Sequence, residues 1–194
     1  MEYIGLNEQE IQRREALKSL KELGINPYPA NEYITDSNSK EIKDNFEEKE
    51  GKEVNITGRI MSRRIMGSAS FVELQDDKGR IQVYFKRDSI CPDEDKTLYN
   101  TVFKKLLDIG DIIGVKGKVF KTQMGEISIH IKEFTLLSKS LRPLPIVKEK
   151  EGVVYDAFTD PDQRYRNRSV DLIVNPEVDR KSTRLNSSHT VISY

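Results

Sequence analysis

The chain has 194 residues, and its 32 Lys/Arg are balanced by 32 Asp/Glu for a formal net charge of zero. That length suits one barrel-sized domain with appendages and is short for a multi-domain enzyme with a large catalytic core. The single cysteine, Cys91, excludes an internal disulfide, no Cys/His spacing fits zinc, and no run approaches the ~20 apolar residues of a membrane span. With no basic-then-apolar leader at the N-terminus, the expectation is a soluble cytoplasmic protein.

Residues 1–51 form an N-terminal extension carrying 7 Lys/Arg against 12 Asp/Glu, a net of −5. Within it, residues 7–23 have the signature of a helix. Asn7 followed three positions later by Glu10 makes a capping box, Ile11, Leu17, Leu20 and Leu23 make a partial apolar stripe, and Gly24 stops it. Arg14, Lys18 and Lys21 share another face, which reads either as a contact for an RNA backbone or as a plain solvated face. Asn26-Pro27-Tyr28-Pro29 is an extended link, and a second, acidic helix is expected over Ser39 to Glu50, closed by Gly51.

Residues 52–138 change character and carry 15 Lys/Arg against 12 Asp/Glu, a net of +3. Val54, Ile56, Gly58 and Ile60 alternate with polar residues, as in a half-buried strand. Gly67 marks a turn into a second strand, Ala69 to Asp76. The hairpin turn Asp77-Lys78-Gly79 leads to a third, Arg80 to Lys86. Asp93 to Asp108 then takes helical spacing, with Leu98, Val102, Leu106 and Ile109 on one side. Strands Ile112 to Lys121 and Glu126 to Leu137 follow, and the glycines at 110, 114, 117 and 125 are expected to mark bends. Three strands, a helix and two strands is the order of a five-stranded OB-fold. An SH3-like barrel is the nearest rival and has no long helix at that point. The expected fold is thus an all-β barrel with helical appendages, an N-terminal helix before it and a helix between strands 3 and 4.

Residues 139–180 are expected to be a linker, with Leu141-Arg142-Pro143-Leu144-Pro145 at its start, followed by a charged helix over Asp160 to Asn175 that leads into a further domain. Its apolar residues are Tyr165, Val170, Leu172 and Ile173. Residues 181–194 lose all periodicity, are rich in Ser, Thr and Asn, and resemble translated adapter sequence, so this tail is expected to be non-native and poorly packed.

Strand parity sorts the barrel's side chains, because alternate residues face the core and the outside. Val72 and Leu74 go in, so Phe71, Glu73 and Gln75 go out. Ile81, Val83 and Phe85 go in, so Gln82 and Tyr84 go out. In the fifth strand Ile127, Ile129 and Ile131 go in, and Glu126, Ser128, His130 and Lys132 go out. OB-folds hold oligonucleotides over strands 2 and 3, flanked by the first and fourth inter-strand loops. Phe71 suits stacking of a base, Gln82 offers a donor and an acceptor to a pyrimidine edge, and Glu126 accepts from a base N–H. Arg63 and Arg64, near the first turn, suit phosphate or base contacts. Tyr84 and His130 are weaker members of the set, since each also makes sense as a cross-strand neighbour. No Ser/His/Asp or Cys/His set is available for catalysis, and neither phosphate-loop motif occurs. The residues alone point to an OB-fold that binds single-stranded nucleic acid, and a stand-alone module of that kind is one reading.

One family matches more closely. Gly58-Arg59-Ile60-Met61-Ser62-Arg63-Arg64-Ile65-Met66-Gly67-Ser68-Ala69-Ser70-Phe71, then Gln75-Asp76 to Gln82-Val83-Tyr84, resembles the anticodon-binding domain of bacterial class II lysine–tRNA ligases. So do Gly110-Asp111-Ile112-Ile113-Gly114, Gly125-Glu126-Ile127-Ser128-Ile129, the Arg-Pro-Leu-Pro linker and Arg164-Tyr165-Arg166-Asn167-Arg168. Aspartate– and asparagine–tRNA ligases share the barrel, but the Arg-Arg-Ile-Met-Gly stretch and the linker favour the lysine enzyme. The resemblance implies that Phe71 stacks the central uridine of the anticodon, that Gln82 hydrogen-bonds it, that Arg64 lies against it, and that Glu126 reads a neighbouring base. It implies the anticodon loop of the lysine tRNA as partner, with no membrane involved. It also implies that the ATP and Mg²⁺ sites and the homodimer contacts belong to a catalytic domain in the full-length enzyme. Neither cofactor is expected in this chain, which would be a truncated, inactive recognition part.

Overall fold

The computed structural model describes residues 5–145, 148–150, 153–155, 158–175 and 178. The tail expected at 181–194 lies outside them. Two compact units result, one up to Pro143 and one from Leu144 on.

The first unit begins with α1 (Glu8–Glu22), whose capping box forms as its sequence requires: Glu10 N–H donates to Asn7 Oδ1 at 2.8 Å, and Asn7 N–H donates to the Glu10 carboxylate at 3.1 Å. Of the expected Ile/Leu stripe only Leu20 is buried, joined by Arg13 and Ala16, while Ile11 and Leu17 are partly buried and Leu23 is 46% exposed. Arg13 is buried because its guanidinium caps carbonyls of the barrel end, donating to Ile109 O at 2.9 Å and Ser140 O at 3.1 Å. Arg14 donates to Glu10 O of its own helix. The expected single acidic helix is two, α2 (Ser39–Asp44) and α3 (Phe46–Lys49), broken at Asn45. Ile42 of α2 is fully buried, an anchor worth about 1.5–3 kcal/mol for a side chain of this size.

The barrel strands are β1 (Glu53–Met66), β2 (Ala69–Gln75), β3 (Arg80–Lys86), β4 (Ile112–Lys121) and β5 (Ile127–Ser138). They close in the order β1-β2-β3-β5-β4, and β4 pairs back onto β1. The closing pair is parallel, Gln82 opposite Ser128, Val83 opposite Ile129 and Tyr84 opposite His130. The inward residues named by parity form the core: Val72, Leu74, Ile81, Val83, Phe85, Ile129 and Ile131 are each at most 1% exposed. Ile127, by contrast, is only partly buried at the edge of that core.

Between β3 and β4 lie α4 (Arg87–Ile90), which was not expected, and α5 (Leu98–Leu106), shorter than the expected 93–108. α5 is wound with π-type bonds, ending with Leu107 N–H on Val102 O, five residues back. Its buried residues, Tyr99, Val102, Phe103 and Leu106, close the end of the barrel, and Phe103 stacks on Phe85 with centroids 4.1 Å apart. The buried Tyr99 hydroxyl is satisfied by Ser70 Oγ at 2.9 Å.

Two of the glycines expected at bends lie instead inside β4, where they allow close approach. The Tyr33 ring lies 2.5 Å from where a Gly114 Cβ would stand, and His130 O lies 2.3 Å from where a Gly117 Cβ would stand. Gly110 and Gly125 do turn the chain, with φ of 102° and 88°.

The stretch expected to be linker from 139 starts as part of the barrel. Lys139 is buried and donates to the Asp108 carboxylate at 2.5 Å and the Asp111 carboxylate at 2.9 Å. Asp111, fully buried, also accepts from Asp108 N–H and Ser140 N–H, each at 2.7 Å. Burial pushes its carboxyl above the usual range, against the pull of Lys139.

The second unit contains a short pair of antiparallel strands, β6 (Lys148–Lys150) and β7 (Val153–Tyr155), in place of featureless linker. The charged helix expected over 160–175 is two, α6 (Pro161–Arg166) and α7 (Arg168–Val174), broken at Asn167. Buried Asp171 ties them, accepting from Arg164 at 2.8 Å, Arg168 at 2.9 Å and Asn175 at 2.8 Å. Those partners, Asn175 first, hold its carboxyl below the usual range. Tyr165 is 82% exposed rather than packed.

Candidate nucleic-acid interface

A cleft of about 480 Å³ opens over β1, β2 and β3, beside the β4–β5 turn. Arg64, Phe71, Gln82 and Glu126 all line it. They are 62 residues apart at the extremes of the sequence, and the barrel's pairing is what gathers them.

β2 and β3 supply the floor. Phe71 and Gln82 both point away from the core, opposite Tyr84 and Glu73 in the ladder. The half-buried Phe71 ring is backed by Tyr84, centroids 5.0 Å apart at 39°, which leaves its other side to the cleft. Gln82 is pinned from below: Ser128 Oγ donates to its Oε1 at 2.8 Å across the parallel closure. Ser128 is therefore outward by parity yet fully buried, because Gln82 covers it. With its oxygen occupied, the Gln82 amide presents N–H donors to the cleft, which suits a carbonyl oxygen on a base edge.

β1 supplies Arg64. The β1–β2 register shifts between Ile60 and Ser62, so Met61 sits in a bulge. Beyond it Arg64 lies opposite Phe71 and Arg63 opposite Val72. Cross-strand partners share a face, so Arg64 joins the cleft and Arg63 turns to the other side. Arg64 is exposed and has no ion pair among the described residues. Arg63 is placed elsewhere, contrary to its candidacy: it donates to Phe103 O at 2.8 Å and Leu107 O at 2.6 Å, and lies 5.9 Å over the Phe103 ring. It caps the C-terminal end of α5, where carbonyls lack helical partners, and burial lowers its pKa.

The β4–β5 turn supplies Glu126. Its backbone is held on both sides, Glu126 N–H donating to Thr122 Oγ1 at 3.0 Å and Glu126 O accepting from Thr122 N–H at 2.9 Å. Its carboxylate faces the Lys43 ammonium of α2 at 3.7 Å.

Tyr84 and His130 do not line the cleft. They continue the aromatic surface beyond Phe71, with Tyr84 and His130 centroids 5.2 Å apart and Phe120 6.1 Å from Tyr84. Burial, then neighbouring Lys86, lowers the His130 pKa, so the ring stays neutral near neutral pH and pairs with Ser89 Oγ at 3.1 Å.

Among the cleft residues that were not candidates are Lys43, Ser62, Arg80 and Met124. Arg80 is occupied by Glu73 at 3.2 Å and Gln75 at 2.9 Å, so that pair is electrically closed. Ser62 was recoverable only from the bulge. Lys43 carries no local signal, since its place depends on how α2 docks. A second cleft of about 300 Å³, lined by Asp36, Glu41, Asp76 and Asp77, is a structural joint. Its Asp76 takes both the N–H and the hydroxyl of Ser39 at 2.6 Å. Among the described residues no group of three His, Cys, Asp or Glu is arranged to hold a metal ion. No described helix is long and apolar enough to cross a membrane.

A closed five-stranded barrel with an outward aromatic ring and amide over β2 and β3 has the architecture of a nucleic-acid-binding module, and residues 54–137 match the family model for the OB-fold nucleic acid binding domain of tRNA anticodon type. Over most of its length the chain is similar to lysine–tRNA ligases. It is 62% identical over 181 residues to the lysine–tRNA ligase of Porphyromonas gingivalis, covering 92% of this chain and 31% of that protein. It is 64% identical over 171 residues to that of Azobacteroides pseudotrichonymphae (88% and 34%), and 60% identical over 174 residues to that of Christiangramia forsetii (89% and 30%). The chain spans about a third of the length of these curated relatives.

Proposed function

We propose that this chain recognises the anticodon loop of the lysine tRNA, as the recognition part of a cytoplasmic, homodimeric lysine–tRNA ligase. The observation that carries the reading is the convergence of Arg64, Phe71, Gln82 and Glu126 on one cleft. Phe71 stacks the central uridine, the Gln82 amide donates to its carbonyl edge, and Arg64 lies against the same nucleotide. Glu126 accepts from the N–H of a neighbouring base. A carboxylate repels phosphate, so its presence turns the cleft toward base edges rather than the backbone.

The full 194-residue chain is expected to bind a hairpin with a UUU anticodon loop more tightly than the same hairpin with its central uridine replaced. Fluorescence anisotropy at fixed salt measures this, and equal affinity for both loops would sink the specific reading. Attachment of lysine with ATP is assigned to parts of the ligase that these residues do not supply. The chain alone is therefore expected to give no ATP-dependent lysyl-tRNA in a charging assay, and product above background would refute that assignment.

A further inference from the structure

We propose that Lys43, on the N-terminal extension, is a specificity-determining residue of the cleft that works by positioning Glu126. The proposal rests on the anticodon reading above.

The argument starts from what holds Glu126. The turn fixes its backbone through Thr122 on both sides, but its side chain has Lys43 as its one polar partner among the described residues. Both groups are exposed, 41% for the Lys43 side chain and 53% for Glu126, so free carboxylate rotation is otherwise unopposed. Lys43 is on a firm base. Ile42 beside it is fully buried, and Ser39, which opens α2, is clamped to Asp76 by two bonds of 2.6 Å. A second contact joins the same two regions, Lys121 at the start of the β4–β5 turn lying 5.9 Å over the Phe46 ring of α3. Gly51 N–H also donates to Val119 O at 2.8 Å. The extension is thus docked against the strand that leads into the turn, and Lys43 reaches from it into the cleft.

The electrostatics support the same role. Arg80 is closed by Glu73, which leaves Lys43 and Arg64 as the other cations lining the cleft, and Lys43 is the one set against Glu126. A base entering the cleft displaces water, and the attraction between Lys43 and Glu126 strengthens as the local dielectric falls. The result is an ionised acceptor held in one direction, which discriminates bases by the position of their N–H.

The test uses the full chain, the UUU-loop hairpin and hairpins changed at each of the three anticodon positions. Glu126→Gln first identifies the position that Glu126 reads. Lys43→Ala is then expected to reduce discrimination at that position alone, by about threefold to tenfold. Lys43→Ala added to Glu126→Gln is expected to have no further effect, because the two act as one unit. Lys43→Arg is expected to restore most of the discrimination. Three outcomes would overturn the proposal: no change with Lys43→Ala, a change at a different position, or an equal loss on all loops. The equal loss with a salt dependence flattened by about one phosphate would make Lys43 a backbone contact instead. Wild-type chain that does not prefer the UUU loop would take down the anticodon reading itself, and this inference with it. Lys43 sits in an exposed ion pair, so the variants are expected to keep the wild-type melting temperature.

Discussion

Phe71→Ala is expected to weaken binding of the UUU-loop hairpin by roughly 1–3 kcal/mol, about fivefold to 150-fold in Kd, and to leave the barrel folded. The lost energy is the stacking of one base face on the ring. The expectation of an intact fold rests on where the ring lies. Its neighbours along the strand, Ser70 and Val72, are the buried ones, and Phe71 itself rests on the outer surface against Tyr84. Removing it strips cover from Tyr84 without opening a cavity in the core. Circular dichroism of the variant at 25 °C checks this independently of RNA. An unfolded variant would place Phe71 in the core and remove the stacking platform from the cleft. An intact variant with unchanged affinity would leave the platform unused.

Lys139→Ala carries the largest expected effect on stability, a loss of about 3–5 kcal/mol read from the urea midpoint. Lys139 and Asp111 have side chains 0% exposed, and removing the ammonium leaves a buried carboxylate with only two backbone N–H partners. The sign with pH follows from burial, which raises the Asp111 pKa in the folded chain. Ionising Asp111 therefore works against folding. That penalty is absent below the ordinary carboxylate pKa of about 3.9 and grows as pH rises through the raised value. The gap between variant and wild type should narrow on acidification from both sides. The variant is relieved as Asp111 gains a proton, while the wild type loses the partner of its buried Lys139. A gap that is constant from pH 7 to pH 4 would mean that the pair contributes packing and not charge.

The strand parities of the barrel were legible because each strand buries one face, which forces apolar residues to alternate. Val72 with Leu74, Ile81 with Val83, and Ile129 with Ile131 all point inward as their spacing requires. The four residues that line the cleft followed from that parity and from family resemblance. The misplaced features share a different cause. Arg63 and Arg64 could not be sorted because one bulged residue, Met61, reverses the parity midway along β1. A bulge leaves no mark in the residue types around Met61, which stands between apolar Ile60 and polar Ser62. Arg13 lies off the apolar stripe of its helix, and only the docked barrel end supplies the carbonyls that bury it. Ser128 looked exposed because the residue that covers it lies on another strand. Each miss is a contact between distant parts of the chain, which local pattern does not encode.

The parallel pairing of β3 with β5 bears on when the site comes into being. Ser128, which orients Gln82, lies 46 residues further along the chain, and Glu126 precedes it by two. A chain emerging from the ribosome only as far as β4 already holds Arg64, Phe71 and Gln82. It lacks the hydroxyl that sets the amide and the carboxylate that faces it. Contacts this far apart in sequence close late in folding. On the reading proposed above, the cleft is complete only once β5 is in place, so that a half-made domain would have a surface for stacking bases but no means of telling one anticodon from another.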